Sequence, residues 1–189
     1  MKTNNQLPLL KIKISNGFTL LELLITLSIA AILLAATAPA FNDLITQNRV
    51  DSAADTLMRA VHLARTESIK RGSRVITCLS RGGNTCDTTN ADSVLIFSDS
   101  DRTGSPKNAS DLIKTFQVDT TSVNITYNRP FLAYNAMGLA SGTNGTFTVC
   151  GASGKGDFVI VSSLGRARKG RDYDGDGVVE KIPGSPISC

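Results

Sequence analysis

An uncharged apolar run from Leu23 to Phe41, entered through Gly17-Phe18-Thr19-Leu20-Leu21-Glu22, constrains this chain more than any other feature of its 189 residues. At about 1.5 Å rise per residue, a helix over residues 18–41 is roughly 36 Å long. The hydrocarbon core of a bilayer is about 30 Å thick, so the segment is expected to span one. Glu22 stands at its mouth. A carboxylate at the edge of a spanning helix is costly to insert and is rarely kept without a partner or a task, which makes Glu22 the first candidate site residue. Residues 1–17 hold Lys2, Lys11 and Lys13 and no acid, the bias that keeps a short terminus in the cytoplasm and sends the rest outward. A secretory signal carries its small-residue cleavage position after the apolar region. Here Gly17 precedes it, so a cut at that point removes the basic leader and leaves the helix attached.

This order of basic leader, Gly17, Phe18, Thr19, Leu20, Leu21, Glu22 and an apolar helix carrying Pro39 resembles the amino terminus of type IV pilins and of type II secretion pseudopilins. The resemblance implies cleavage between Gly17 and Phe18 by a prepilin peptidase and methylation of the new amine of Phe18. It implies that Glu22 pairs with the terminal amine of Phe18 in a neighbouring subunit, so that other pilin subunits are partners. It also implies a bacterial inner-membrane precursor, single-pass with its head in the periplasm, and an extracellular pilus after assembly. Pro39 marks a bend in such a helix, or is simply a proline tolerated in a membrane segment.

Beyond residue 41 about 148 residues remain, enough for one domain with a real core and not for two. The expected organisation is a leader over 1–17, a transmembrane helix over 18–41, an amphipathic helix over 42–72 and a β-rich head over 73–189. The formal charge of +4 includes the three leader lysines, so a general attraction to polyanions is excluded for the processed chain and any such claim rests on where charges cluster. All four cysteines, Cys78, Cys86, Cys150 and Cys189, fall in the exported part, where disulfides are favoured. Of three possible connectivities, the favoured one pairs Cys78 with Cys86 across a short polar excursion and Cys150 with Cys189, tying down the last residue. The spacing does not suit a metal site.

Val50, Ala53, Ala54, Leu57, Ala60, Val61, Ala64 and Ser68 recur at steps of three and four, while Arg49, Asp51, Asp55, Arg59, Arg65 and Glu67 fall elsewhere; the helix therefore continues with one face against a core. Lys70, Arg71 and Gly72 supply its cationic last turn and glycine stop. Strands are expected at Val75–Leu79, Val94–Phe97, Leu112–Val118, Val123–Tyr127, Thr146–Cys150, Phe158–Ser162 and Val178–Ile182, between turns rich in Gly, Asn, Asp and Ser. One long helix followed by many strands predicts an α+β fold, the helix packed on an antiparallel β-sheet head. The arrangement resembles the type IV pilin fold, and in particular the GspH/FimT group of minor pilins and pseudopilins.

Late in the head, Gly165-Arg166-Ala167-Arg168-Lys169-Gly170-Arg171 places four cations in six residues on a presumed loop. Arg166, Arg168, Lys169 and Arg171 are candidates for phosphate contacts, with Gly165 and Gly170 allowing close backbone approach. Only Tyr173 is nearby to stack on bases, so sequence-independent backbone binding is expected rather than a single-strand platform. Arg74, Arg81, Lys155 and Lys181 are candidate helpers. Gly165-Arg166-Ala167-Arg168 is similar to the Gly-Arg-any-Arg signature of FimT-like minor pilins, which implies DNA as a partner and a role in DNA uptake during natural transformation. The alternative is a structural minor pilin or pseudopilin that primes filament assembly without binding DNA. Asp172, Asp174 and Asp176 follow at once and could cancel this charge.

Those aspartates with Gly177 imitate the start of a calcium loop, Glu180 at the ninth place but Pro183 where a bidentate Glu is needed; the other reading is an Asp-Gly turn held by side-chain hydrogen bonds. Asp99, Ser100 and Asp101 read as a strand-ending turn. His62 is the single histidine and lies on the helix, so no nucleophile and base pair can be named, and neither enzymatic activity nor a cofactor is expected.

Overall fold

The computed structural model describes residues 17–189 apart from 84, 89, 90, 141 and 153, and only the backbone at 36–40. Lys2, Lys11 and Lys13 of the expected leader, and the side chain of Pro39, lie outside the described residues. The chain divides into two units, Met1–Ala40 and Phe41–Cys189, and helix α1, Leu20–Arg71, contributes to both.

In the first unit Thr19 opens the helix. Its hydroxyl accepts from the Glu22 N–H at 3.2 Å and its carbonyl accepts from the Leu23 N–H, so Thr19 is an N-cap and Glu22 occupies the third helical position, where an acid also suits the helix dipole. Among the described residues no helix is long and apolar enough to cross a membrane. The expected span over 18–41 runs into the positions whose side chains lie outside the description.

In the second unit the helix follows the periodicity of its sequence. Val50, Ala53, Ala54, Leu57, Ala60, Val61, Ala64 and Ser68 are buried, and the helix stops at Gly72, whose φ of +60° suits a residue without Cβ. Leu57 and the small residues on this face belong to one core cluster with residues of both sheets.

Among the described residues eight strands form two antiparallel four-stranded sheets. They are β1 (Val75–Ser80), β2 (Ser93–Ser98), β3 (Leu112–Gln117), β4 (Val123–Tyr127), β5 (Leu132–Tyr134), β6 (Gly145–Gly151), β7 (Gly156–Val161) and β8 (Ala167–Lys169). The first sheet has the order β3-β2-β1-β5 and the second β4-β6-β7-β8. β1 is buried along its whole length because both sides are covered. Val75 and Leu79 join the main core with the helix, while Ile76 and Cys78 join Leu95, Phe97 and Ala133 in a second, smaller cluster.

Three sequence expectations need correction. β5 has only three residues, Leu-Ala-Tyr, too few to show alternation, and was not foreseen. The supposed strand Val178–Ile182 is replaced by isolated pairings of Glu180 with Arg171 and Pro186, because Gly175, Gly177 and Gly184 all take positive φ and turn the chain away from extension. The basic segment holds a strand, β8, instead of a loop. The structure bridges Cys78 to Cys86 and Cys150 to Cys189. The first staples the excursion after β1 over the smaller cluster; the second fastens the last residue to β6.

Candidate functional site

The basic segment is built by a hairpin. β7 and β8 pair Ile160 with Arg168 and Val161 with Ala167, around a turn in which the Ser162 N–H and Oγ–H donate to the Arg166 carbonyl and the Arg166 N–H donates to Ser162 Oγ. Strand alternation then separates the cations. Arg166 and Arg168 are exposed on one face, and Lys169 turns to the other.

Lys169 is committed inward. Its Nζ lies 2.8 Å from Asp55 Oδ1 on the helix and 3.6 Å from Asp157 Oδ2 on β7. The hydrogen bond from Lys169 lowers the Asp55 pKa, whereas burial raises that of Asp157 despite the Phe158 N–H and the Lys169 charge. Burial alone would push the Lys169 pKa down; the two carboxylates outweigh it and raise it. Such a clamp fixes β8 to the helix. Asp55 and Asp157 were not singled out from sequence as its partners, since they are remote in the chain.

Arg168 is half committed, its guanidinium donating to the carbonyls of Lys181 at 2.7 Å and Lys169 at 3.3 Å. Arg171 lies over the Tyr173 ring at 5.9 Å. Arg166 alone of the four has no side-chain hydrogen bond, ion pair or ring contact among the described residues. Asp172, Asp174 and Asp176 do not cancel this charge through ion pairs among the described residues. They are exposed or half-buried, and they accept from the N–H groups of Gly175, Gly177, Asp176 and Val178; the bonds from Gly175 and Gly177 lower the Asp172 pKa. Their carboxylate oxygens gather within 4.8 Å of one another, yet the observed hydrogen bonds are those of the Asp-Gly turn already expected.

The two glycines also have a different explanation from the one expected. A Cβ on Gly165, where φ is +77°, would sit 2.0 Å from the Gly138 carbonyl oxygen and 3.0 Å from Tyr134, and one on Gly170 would sit 2.3 Å from Val179 Cγ1. Internal contact, not access for a phosphate, calls for both. Gly165→Ala is expected to destabilise the head by about 3 kcal/mol, combining left-handed backbone strain with a clash against backbone that cannot swing aside. Denaturant unfolding checks this, and a loss under about 1 kcal/mol contradicts it.

The candidate helpers do not converge. Arg74 pairs at 3.0 Å with Asp99, whose side chain is wholly buried, and covers Phe131, a structural duty. Arg81 is exposed in the excursion after β1; Lys155 shares a cavity with Asp176 and Gln47; Lys181 is exposed and gives its carbonyl to Arg168. Asp99 accepts from Gly104 N–H and Thr103 Oγ1, as the turn reading requires. His62 is exposed on the helix. At the amino end, Phe18 and Glu22 are exposed, and Glu22 has no ion pair among the described residues.

Comparison with known proteins joins both ends of the chain. The prokaryotic N-terminal methylation motif matches residues 12–38. The crystal structure of the type IV minor pilin FimU from Pseudomonas aeruginosa aligns with a TM-score of 0.55 at 19% identity, covering 76% of this chain and 96% of that one. A second crystal form of FimU aligns at 0.51 and 20% identity, over 64% and 92%. The shared fold is the pilin one, a long helix on antiparallel sheet. No curated protein sequence matches. The family described as Type II transport protein GspH matches residues 53–165, more than half of the sequence, and the chain belongs to that family.

Proposed function

We propose that this chain is a minor pilin or pseudopilin that takes part in assembling a thin filament and performs no catalysis. In this reading it is made as an inner-membrane precursor, anchored by residues 18–41 and cut between Gly17 and Phe18 by a prepilin peptidase. It is then methylated on Phe18 and drawn into the filament through Glu22, with its head first periplasmic and then outside the cell. The observation that carries it is the methylation motif over 12–38 in the same chain as the GspH match over 53–165. Mass spectrometry of sheared filaments tests it: the expected amino-terminal peptide begins at N-methylated Phe18, and absence of the chain from that fraction defeats the reading.

A second reading, DNA capture, is favoured by one observation: Arg166 and Arg168 are exposed at alternate positions of the same hairpin. It is weaker than the sequence suggests, because Lys169 is held by Asp55 and Asp157. With Lys169 withdrawn, three of the four cations remain for phosphate contacts, and the logarithmic salt slope is about −2.7. The core of the second unit and both disulfides lie within residues 41–189, so that fragment serves for a titration. Arg166→Gln with Arg168→Gln is expected to leave filament assembly intact and to remove any salt-dependent DNA retardation; DNA retardation unchanged by the double substitution eliminates this second reading.

A further inference from the structure

We propose that the end of the head beside the helix C terminus docks onto the acidic loop, residues 172–178, of a second copy of this chain; the proposal rests on the assembly reading and names the neighbour it requires. Three large apolar side chains are exposed at that end, Ile69 at 53%, Met137 at 71% and Leu164 at 55%. They ride on three segments clamped at one point. Arg65 donates to the carbonyls of Gly138 and Leu164. A Cβ on Gly138 would meet Ile69 Cδ1 at 2.8 Å, and one on Gly165 would meet the Gly138 oxygen. Single exposed apolar residues need no explanation, but three on clamped neighbouring segments make a patch. Its rim is cationic. Arg166 follows Gly165 directly, and Lys70 and Arg71 share the single carboxylate of Glu67.

The complementary surface is on the same chain. The loop over 172–178 is closed by the paired hydrogen bonds between Arg171 and Glu180. It presents Asp172, Asp174 and Asp176, none in an ion pair among the described residues, together with exposed Tyr173 and Val178. Acids carrying apolar neighbours match an apolar patch rimmed by cations. The loop sits beside the earlier part of the head's helix, since Asp176, Gly177 and Val178 line one cavity with Gln47. From Gln47 to Ile69 the helix rises roughly 33 Å, so the two surfaces cannot meet within one chain. Between copies whose helices run parallel they meet head to tail. Such a contact is heterologous and leaves one surface of each kind free.

The test uses the full-length chain in cells that assemble the filament, with a photo-crosslinking benzoylphenylalanine replacing Met137 and, separately, Leu164. The expected result is a covalent dimer whose adduct maps to residues 172–178 of a second copy. Arg166→Glu should cut the yield about tenfold, and adding Asp174→Arg and Asp176→Arg should restore it. Adducts elsewhere on the chain, adducts to a different protein, no adduct from either position, or a yield indifferent to Arg166→Glu overturn the contact. Filament fractions from the same cells separate the failures: filaments that contain the chain without the adduct sink this contact alone, while filaments that lack the chain sink the assembly reading as well.

Discussion

Replacing Cys189 by Ser is expected to lower the stability of the head by about 3.9 kcal/mol, the chain-entropy value for a loop of this length. The bridge to Cys150 closes 39 positions of sequence, and little else binds the segment after β8. Its hydrogen bonds to the rest of the head are from Gly170 N–H to the Phe158 carbonyl and from the Arg168 guanidinium to the Lys181 carbonyl, whereas the Arg171 and Glu180 pairing and the Ile187 N–H to the Val179 carbonyl close the segment on itself. Sγ of Cys189 and the side chain of Ile187 pack where a Cβ on Gly156 would stand, so the bridge also holds the segment against the β6-β7 hairpin. Against a typical domain stability of about 5–15 kcal/mol this is a large fraction. The Cys78 to Cys86 bridge spans only 8 positions and its removal should cost about 2.6 kcal/mol. Parallel denaturant melts of the two variants decide the matter; an equal or smaller loss for Cys189→Ser shows that backbone pairing, not the bridge, retains the terminal segment. The acidic loop lies inside it, so the same variant should weaken the head-to-tail contact.

Glu22→Gln is expected to reduce entry into the filament by more than about a hundredfold while cleavage after Gly17 continues. Glutamine separates the backbone contact of this residue from its charge. Its backbone N–H binds the Thr19 hydroxyl, a cap that glutamine keeps, whereas its carboxylate is exposed and has no ion pair among the described residues. Only the charge is deleted. On the proposed pairing of Glu22 with the Phe18 amine of a neighbouring subunit, leaving that amine unpaired in an apolar filament interior costs about 3–5 kcal/mol, which sets the size of the expected loss. Quantitative blotting of sheared filaments measures it, and normal entry of the Gln variant would reduce Glu22 to a favourable residue in the first helical turn.

Local chemistry made much of the fold legible. The steps of three and four from Val50 to Ser68 placed the buried helix face, and Lys70, Arg71 and Gly72 placed its end. Thr19 was readable and overlooked: Thr-x-x-Glu before an apolar run is a helix-start signature. β8 escaped because its residues Ala-Arg-Lys look like a solvated loop, and because what makes them a strand is β7, already paired on its other side with β6. Along the sequence Asp172, Asp174 and Asp176 fit both a calcium loop and a turn, and the hydrogen bonds from Gly175, Gly177, Asp176 and Val178 are those of the turn.

The sequence by itself determined the properties that arise between near neighbours: the order of basic segment, glycine and apolar run, the amphipathic face, and the cysteines placed for oxidation. Only the tertiary structure decided what the basic segment is. Four cations in six residues are equivalent along the chain, but a hairpin sends alternate side chains to opposite faces, and the helix offers Asp55 to one face alone. Lys169 thereby becomes a clamp, Arg166 keeps its side chain without a partner among the described residues, and Gly165 is required by a carbonyl of Gly138 that no local reading of the sequence could bring beside it.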